Sequence, residues 1–169
     1  RAGELTVGTF FEVGHAAVGE VIGQTELDYF IIDCEHGPYD IESAGDVIRA
    51  AEGVSGGKVT PFARSRDSGR ASILKLLDIG AKGIIIPHVQ SLEEAKKIVE
   101  YGKYFPVGDR GGAVSRSVKY GLGHETDQGT KAWFEECNEK ELLIPQCETV
   151  GCLDQIEEIM ALDGIDGIF

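Results

Sequence analysis

The sequence predicts an α/β domain built on a parallel sheet, of the (β/α)8 TIM-barrel class, incomplete, with about six of the eight strands present. Three observations predict it. Short β-branched and apolar runs alternate with longer amphipathic stretches along the whole chain. Several of those runs are continuously apolar, among them Phe30-Ile31-Ile32, Ile84-Ile85-Ile86 and Leu142-Leu143-Ile144, as parallel strands covered on both faces require. Strand starts at 29, 58 and 83 are separated by 29 and 25 residues, close to the roughly 31 residues per unit of an eight-unit barrel. A doubly wound fold would carry a Gly-rich phosphate turn after its first strand. Gly121-Leu122-Gly123 lacks the third glycine and no Walker A pattern occurs, so no nucleotide cofactor is expected.

The strands are expected at residues 5–11, 29–34, 58–63, 83–89, 142–147 and 165–169. Between them, residues 41–51 follow Asp40 as a helix, and residues 69–79 form another that ends at Gly80, a suitable C-terminal cap. Ser91-Leu92-Glu93-Glu94 fits a capping box and opens a helix to about residue 101; residues 150–161 form the last. The gap from 83 to 142 also holds a Gly-rich segment, 106–123, and a polar stretch around Trp133. That segment reads as a long βα loop or excursion over the barrel mouth, with a surface loop of no function as its plain alternative. The whole of 1–169 is read as one partial barrel domain. The apolar run 165–169 has no capping or turn residue after it and the chain starts at Arg1, so a piece of a longer chain, truncated on its C-terminal side, is expected.

Composition narrows the partners. Lys and Arg number 16 against 29 Asp and Glu, a formal net charge of −13, which argues against a nucleic-acid binder. An apolar content of 42% with seven Phe and one Trp is that of a globular protein and not of an acidic disordered tail. No window has the apolar length of a membrane span and no signal peptide opens the chain; no membrane partner and a cytoplasmic location are expected. Cys34, Cys137, Cys147 and Cys152 form no Cys-x-x-Cys pair and read as structural thiols of a reducing compartment.

In a parallel α/β protein, chemistry sits at the C-terminal ends of strands. Three such exits carry polar groups. At the first, Asp33-Cys34-Glu35-His36-Gly37-Pro38 puts two carboxylates and an imidazole within four residues. Asp33 and Glu35 share a side by alternation, and His36 joins them only if the backbone turns at Gly37. An imidazole held by a carboxylate is suited to general-base work. At the second, Arg64 offers a fixed fork of donors for a carboxylate or an enolate; Arg66 and Arg70 are weaker candidates. At the third, Gln146 and Glu148 alternate into one cavity, where a carboxylate suits a hard divalent cation. His15, His88 and His124 are read as structural.

Taken together these segments resemble the HpcH/HpaI aldolase family, the class II pyruvate aldolases. The matching stretches are residues 28–38 (DYFIIDCEHGP), 61–64 (PFAR), 73–81 (ILKLLDIGA) through Pro87, 108–111 (GDRG) and 144–149 (IPQCET), in family order over almost the whole chain. The resemblance implies a (β/α)8 barrel, oligomeric at full length, that binds a divalent metal ion (Mg2+, Mn2+ or Co2+) and a 2-oxo acid. By position, His36 resembles the catalytic base, Arg64 the stabiliser of the enolate, Gln146 a substrate ligand and Glu148 a metal ligand, with a second metal ligand expected beyond Phe169. Asp78 matches the acid that raises the basicity of the histidine. A helix C-terminus lies on the barrel face away from the site, however, so either Asp78 acts across a subunit interface or Asp33 is the local partner.

The implied reaction is reversible cleavage of a 4-hydroxy-2-oxo acid to pyruvate and an aldehyde. A Schiff-base aldolase using Lys75 or Lys82 and a non-catalytic 2-oxo-acid-binding remnant are the alternatives. The acidic balance does not oppose a small anionic substrate, because Arg64 and a bound cation make one pocket locally positive.

Overall fold

The computed structural model describes residues 3–122 and 129–169. Five strands, β1 (Gly8–Phe11), β2 (Tyr29–Asp33), β3 (Thr60–Arg64), β4 (Gly83–Ile86) and β5 (Leu142–Pro145), form one sheet in sequence order, each neighbouring pair parallel. Helices α1 (Ala16–Gly23), α2 (Ile41–Ser55), α3 (Arg70–Asp78) and α4 (Leu92–Gly102) each follow a strand. The helix α5 (Thr130–Lys140) precedes β5, and α6 (Val150–Asp154) and α7 (Ile156–Met160) follow it. Sequential parallel strands with covering helices are the arrangement of an incomplete barrel.

The period of two divides the strands between the sheet's faces. Phe30, Ile32, Ala63, Ile84, Ile86 and Leu143 are buried in one cluster with Val47, Ile48, Ile73, Leu76, Leu77 and Ile98 of the helices, each of these side chains except that of Ala63 contributing about 1.5–3 kcal/mol by burial. The alternate residues line the inner face, where Tyr29 stacks on Phe62 with centroids 5.3 Å apart. On β2 and β3 this inner row ends in Asp33 and Arg64, so the alternation that builds the core also delivers the polar exits.

The sixth expected strand is not regular. Asp166 N–H donates to Leu143 O (3.0 Å), Phe169 N–H to Pro145 O (2.9 Å) and Cys147 N–H to Phe169 O (2.9 Å), so the run lies along β5. Three residues on its side span two on the other, and that mismatch breaks the ladder.

The α3 terminus behaves as expected: Gly80 takes φ +109°, and Ala81 N–H reaches Leu76 O while Gly80 N–H reaches Leu77 O, which satisfies the last carbonyls. Only half of the expected box at Ser91 forms. Ser91 Oγ accepts from Glu94 N–H (3.2 Å), but the Glu94 carboxylate takes the Gln90 N–H (2.8 Å) and the Ser68 hydroxyl instead. The complete box belongs to Asp40 and Ser43 at the start of α2. The helix expected over 150–161 is broken at Gln155, whose side chain accepts from Leu92 N–H (2.6 Å). Helices α1 and α5 carry no ordinary start signal: α1 is capped by the His15 ring, Nδ1 accepting from Ala17 N–H (3.1 Å), and α5 follows Gly129 with no side-chain cap.

The Gly-rich segment departs from expectation in place as well as form. It follows α4 and leads to β5, so it lies at the N-terminal end of the sheet and not over the mouth. There Arg116, in a 3₁₀ turn (Arg116–Gly121), bonds Glu52 near the end of α2, and Arg110 is buried between Asp78 at the end of α3 (3.0 Å) and Glu141 just before β5 (2.5 Å). Arg110 also lies over the Tyr104 ring. Lys103, equally buried, donates to Asn138 O, Glu141 O and Asp166. Of the sequence's candidate residues, His124 lies outside the described residues.

Candidate active site

The chain turns immediately after Asp33. Its carboxylate Oδ1 accepts from the backbone N–H groups of Glu35 (3.1 Å) and His36 (3.2 Å), a local turn that aspartate supports through its own side chain. Gly37 completes it: a Cβ there would sit 2.2 Å from Asp33 O, a distance only glycine permits. The turn is what brings His36 round to the side of Glu35.

Asp33 is fully buried, and its remaining capacity goes to Arg64. Arg64 Nε donates to Oδ1 (2.9 Å) and Nη2 to Oδ2 (2.6 Å), the side-on bidentate pairing that arginine makes best. The register supplies this contact, since Asp33 and Arg64 are direct partners across β2 and β3. Cys34 N–H to Arg64 O and Ser65 N–H to Ile85 O continue the pairing past the strand ends. Arg64 also lies over the Phe10 ring, 5.1 Å from its centroid. Among the described residues nothing hydrogen-bonds its Nη1, so one edge of the guanidinium is held and another is presented.

Burial alone would raise the Asp33 carboxyl; the Arg64 hydrogen bonds, the two backbone N–H groups and the Arg64 charge outweigh it and hold the group below the ordinary carboxylate range. The Asp33 hydrogen bonds, against the pull of burial, raise Arg64 in turn. A carboxyl depressed on folding stabilises the protein above its unfolded pKa, and that stability is lost as pH falls through the folded value. The expected result is a stability gap between the native protein and Asp33→Asn that is full at pH 7 and pH 5 and shrinks only below about pH 4. Denaturant unfolding at several pH values measures it; a gap independent of pH removes Asp33 as its source.

The third exit converges through a different device. Gln146 Nε2 donates to Glu148 Oε2 (2.7 Å), and His88 backbone N–H donates to Glu148 Oε1 (2.8 Å). His88 follows Pro87 with φ +55°, a conformation uncommon outside glycine. Its reading as structural omitted this role, which no sequence signal advertised. Gln146 N–H to Ile86 O (2.8 Å) sets the depth of the exit. Gln146 Oε1 is enclosed without a hydrogen-bond partner. The Glu148 charge is felt at Arg64, which ties the third exit to the first two.

Within this chain the site unites Asp33, Glu35, His36, Arg64, Gln146 and Glu148, and Asp78 stands apart from it. Asp78 ends α3 at the other end of the sheet and pairs with Arg110. Asp33 reaches His36 only through its backbone; the His36 ring, 72% exposed, lies 3.8 Å from Glu35 Oε1. Neither Schiff-base candidate joins this set. Lys82 precedes β4 and pairs with Glu141 (3.6 Å), while Lys75 lies on the exposed side of α3. Burial pushes the Cys34 thiol up to about 11 and the Cys137 thiol up to about 12, which disfavours their thiolates.

Among the described residues no group of three His, Cys, Asp or Glu side chains converges on one point; at the third exit the Glu148 carboxylate is the hard oxygen donor that suits a divalent cation keeping several waters. Among the described residues no helix is long and apolar enough to cross a membrane.

The model of the HpcH/HpaI aldolase/citrate lyase family matches residues 6–169. The chain is 32% identical over its whole length to a 4-hydroxy-2-oxovalerate aldolase of Novosphingobium aromaticivorans, covering 61% of that protein. It is 35% identical to a hydroxypyruvate/pyruvate aldolase of Sagittula stellata, covering 63% of it. An HpcH/HpaI aldolase crystal structure from Desulfitobacterium hafniense superposes on 99% of the chain with a TM-score of 0.85 at 32% identity, and the chain covers 62% of that structure. The chain thus spans about three fifths of the length of the proteins it matches.

Proposed function

The chain belongs to the HpcH/HpaI aldolase/citrate lyase family, and from that membership we propose that its strand exits form the pyruvate end of a lyase site that reversibly cleaves a 4-hydroxy-2-oxo acid to pyruvate and an aldehyde. The observation that carries the reading is the Asp33–Arg64 pair: a guanidinium locked side-on by a buried carboxylate, with Nη1 left without a partner among the described residues. The Nη1 edge suits the oxygen on which negative charge grows when the C3–C4 bond of such a substrate breaks.

In this reading His36 takes the C4 hydroxyl proton, the C4–O bond becomes the aldehyde carbonyl, and the C3–C4 electron pair passes into the enolate of pyruvate. Arg64 meets the growing charge without reorganising, because its orientation is already set by Asp33. Phe10 lies against the guanidinium face. Glu148 would hold a divalent cation, Mg2+, Mn2+ or Co2+, which supplies Lewis acidity toward the 2-oxo group when bound, and Gln146 would bind the substrate.

The test is pyruvate release from a panel of 4-hydroxy-2-oxo acids by the native protein, before and after EDTA, with each cation restored in turn. Cleavage that EDTA abolishes and a divalent ion restores is the expected outcome. Metal-independent cleavage with a borohydride-trapped lysine would replace the reading by the Schiff-base one. Calorimetric pyruvate binding without turnover would make the protein a binding module.

A further inference from the structure

We propose that Cys147 and Cys152 form a paired thiol site behind the third strand exit, which a small-molecule disulfide such as oxidised glutathione closes to an intramolecular disulfide, displacing the segment that carries Gln146 and Glu148. The effect on turnover rests on the lyase reading above. Strand alternation divides this exit. Leu143 and Pro145 are the buried residues of β5, and Cys147, two residues on, packs against the same cluster between sheet and helices as Leu143. Gln146 and Glu148, of the other parity, bond each other. Cys152 is fully buried in that cluster too. It lies one turn into α6, where Thr149 Oγ1 accepts from Cys152 N–H (3.1 Å) and donates to Val89 O (2.6 Å), so the cap fixes both the turn and its depth. The chain thereby folds Cys152 back over Cys147, and the two thiols hydrogen-bond each other.

Cys147 is partly exposed and Cys152 is not, so a reagent reaches Cys147 first. Its sulfur attacks one sulfur of the reagent, the reagent S–S bond breaks, and one half leaves as a thiol with the Cys147 proton. The Cys152 sulfur then attacks the Cys147 sulfur of the mixed disulfide. The Cys147–Cys152 bond forms, and the second half leaves as a thiol with the Cys152 proton. Two protein thiols are oxidised and one reagent disulfide is reduced. Burial, with the hydrogen bond to Cys147, pushes Cys152 up to about 11, so alone it is a slow nucleophile. The second step proceeds because its target sulfur already lies beside it, and proximity makes up for a sparse thiolate. Cys147 stands in the chain between Gln146 and Glu148, its N–H held by Phe169 O (2.9 Å). A sulfur drawn towards α6 therefore moves the backbone that carries both.

The experiment has one arm that does not depend on activity. The native protein is incubated with oxidised glutathione, then unfolded, alkylated and digested with trypsin. Residues 141–169 contain no Lys or Arg and hold both thiols but neither Cys34 nor Cys137, so one peptide reports on the pair. It loses the mass of two hydrogen atoms and takes up no alkylating agent, while Cys34 and Cys137 are alkylated. In Cys152→Ala the reaction stops with glutathione on Cys147, and in Cys147→Ala the peptide keeps its thiol. A native peptide that keeps both thiols, or that carries glutathione without closing, overturns the pair whether or not the protein is a lyase. In the second arm, the closed protein releases pyruvate about tenfold more slowly or less, the scale of a small misplacement at a site. Dithiothreitol restores the rate, and the reagent leaves the turnover of Cys147→Ala unchanged. Unchanged turnover in fully closed native protein overturns the displacement of the segment. A native protein that cleaves no 4-hydroxy-2-oxo acid sinks the lyase reading alone, since the peptide masses still decide the pair.

Discussion

Arg64→Ala lowers pyruvate-releasing turnover of the native protein by about 10²-fold or more, and Arg64→Lys does not restore it. The guanidinium works here through geometry. Nε and Nη2 are fixed on Asp33 at 2.9 and 2.6 Å, one face is covered by Phe10, and the free edge is left for the charge that develops in the proposed cleavage. An ammonium carries the same charge but cannot bond Asp33 through two donors and present a third in a fixed direction. The loss therefore falls chiefly on kcat. Because Arg64→Ala also leaves a fully buried carboxylate without its partner, thermal unfolding is measured beside the kinetics, and rates are compared below the lower Tm. Near-normal turnover in a folded Arg64→Ala protein would remove Arg64 from the mechanism.

Arg110→Leu destabilises the protein by about 3–5 kcal/mol, a fall in Tm on the order of 10 °C, without a matching loss of turnover in the protein that remains folded. Arg110 is 4% exposed and Glu141 2%, and they meet at 2.5 Å. Removing one partner strands the other as a buried charge. Lys82, at 3.6 Å and partly exposed, compensates Glu141 weakly. The double variant Arg110→Leu, Glu141→Leu regains more than half of the loss, since an apolar pair is cheaper to bury than a lone carboxylate. A single variant within a few degrees of the native Tm would show that the network contributes little. Turnover is spared because these residues lie before β4 and β5, at the end of the sheet opposite the site.

The two predictions act at opposite ends of one sheet, a division of labour expected of barrel proteins. Within this chain Asp78 and Arg110 stand away from the strand exits, at the lower end of the sheet. The Gly-rich excursion belongs to the same lower face. The helix α4 carries the chain back to that end of the sheet before the segment begins.

The sequence by itself determined the parallel α/β architecture, because runs such as Phe30-Ile31-Ile32 and Ile84-Ile85-Ile86 can be buried on both faces only between helices and neighbouring strands. It also determined which polar groups leave the strands at one end, since alternation along β2 and β3 carries Asp33 and Arg64 to the inner face whatever their partners. Tertiary structure alone decided the pairings. Asp33 serves Arg64 because the β2–β3 register sets them side by side, and Glu35 meets His36 because the turn at Gly37 reverses the direction that strand alternation would have given the ring. Glu148 is held by the His88 backbone 60 residues away in sequence, through a φ that no residue type announces. Periodicity is a local property and survives in the sequence; a hydrogen-bond partner is set by distances between segments, which exist only once the sheet has assembled.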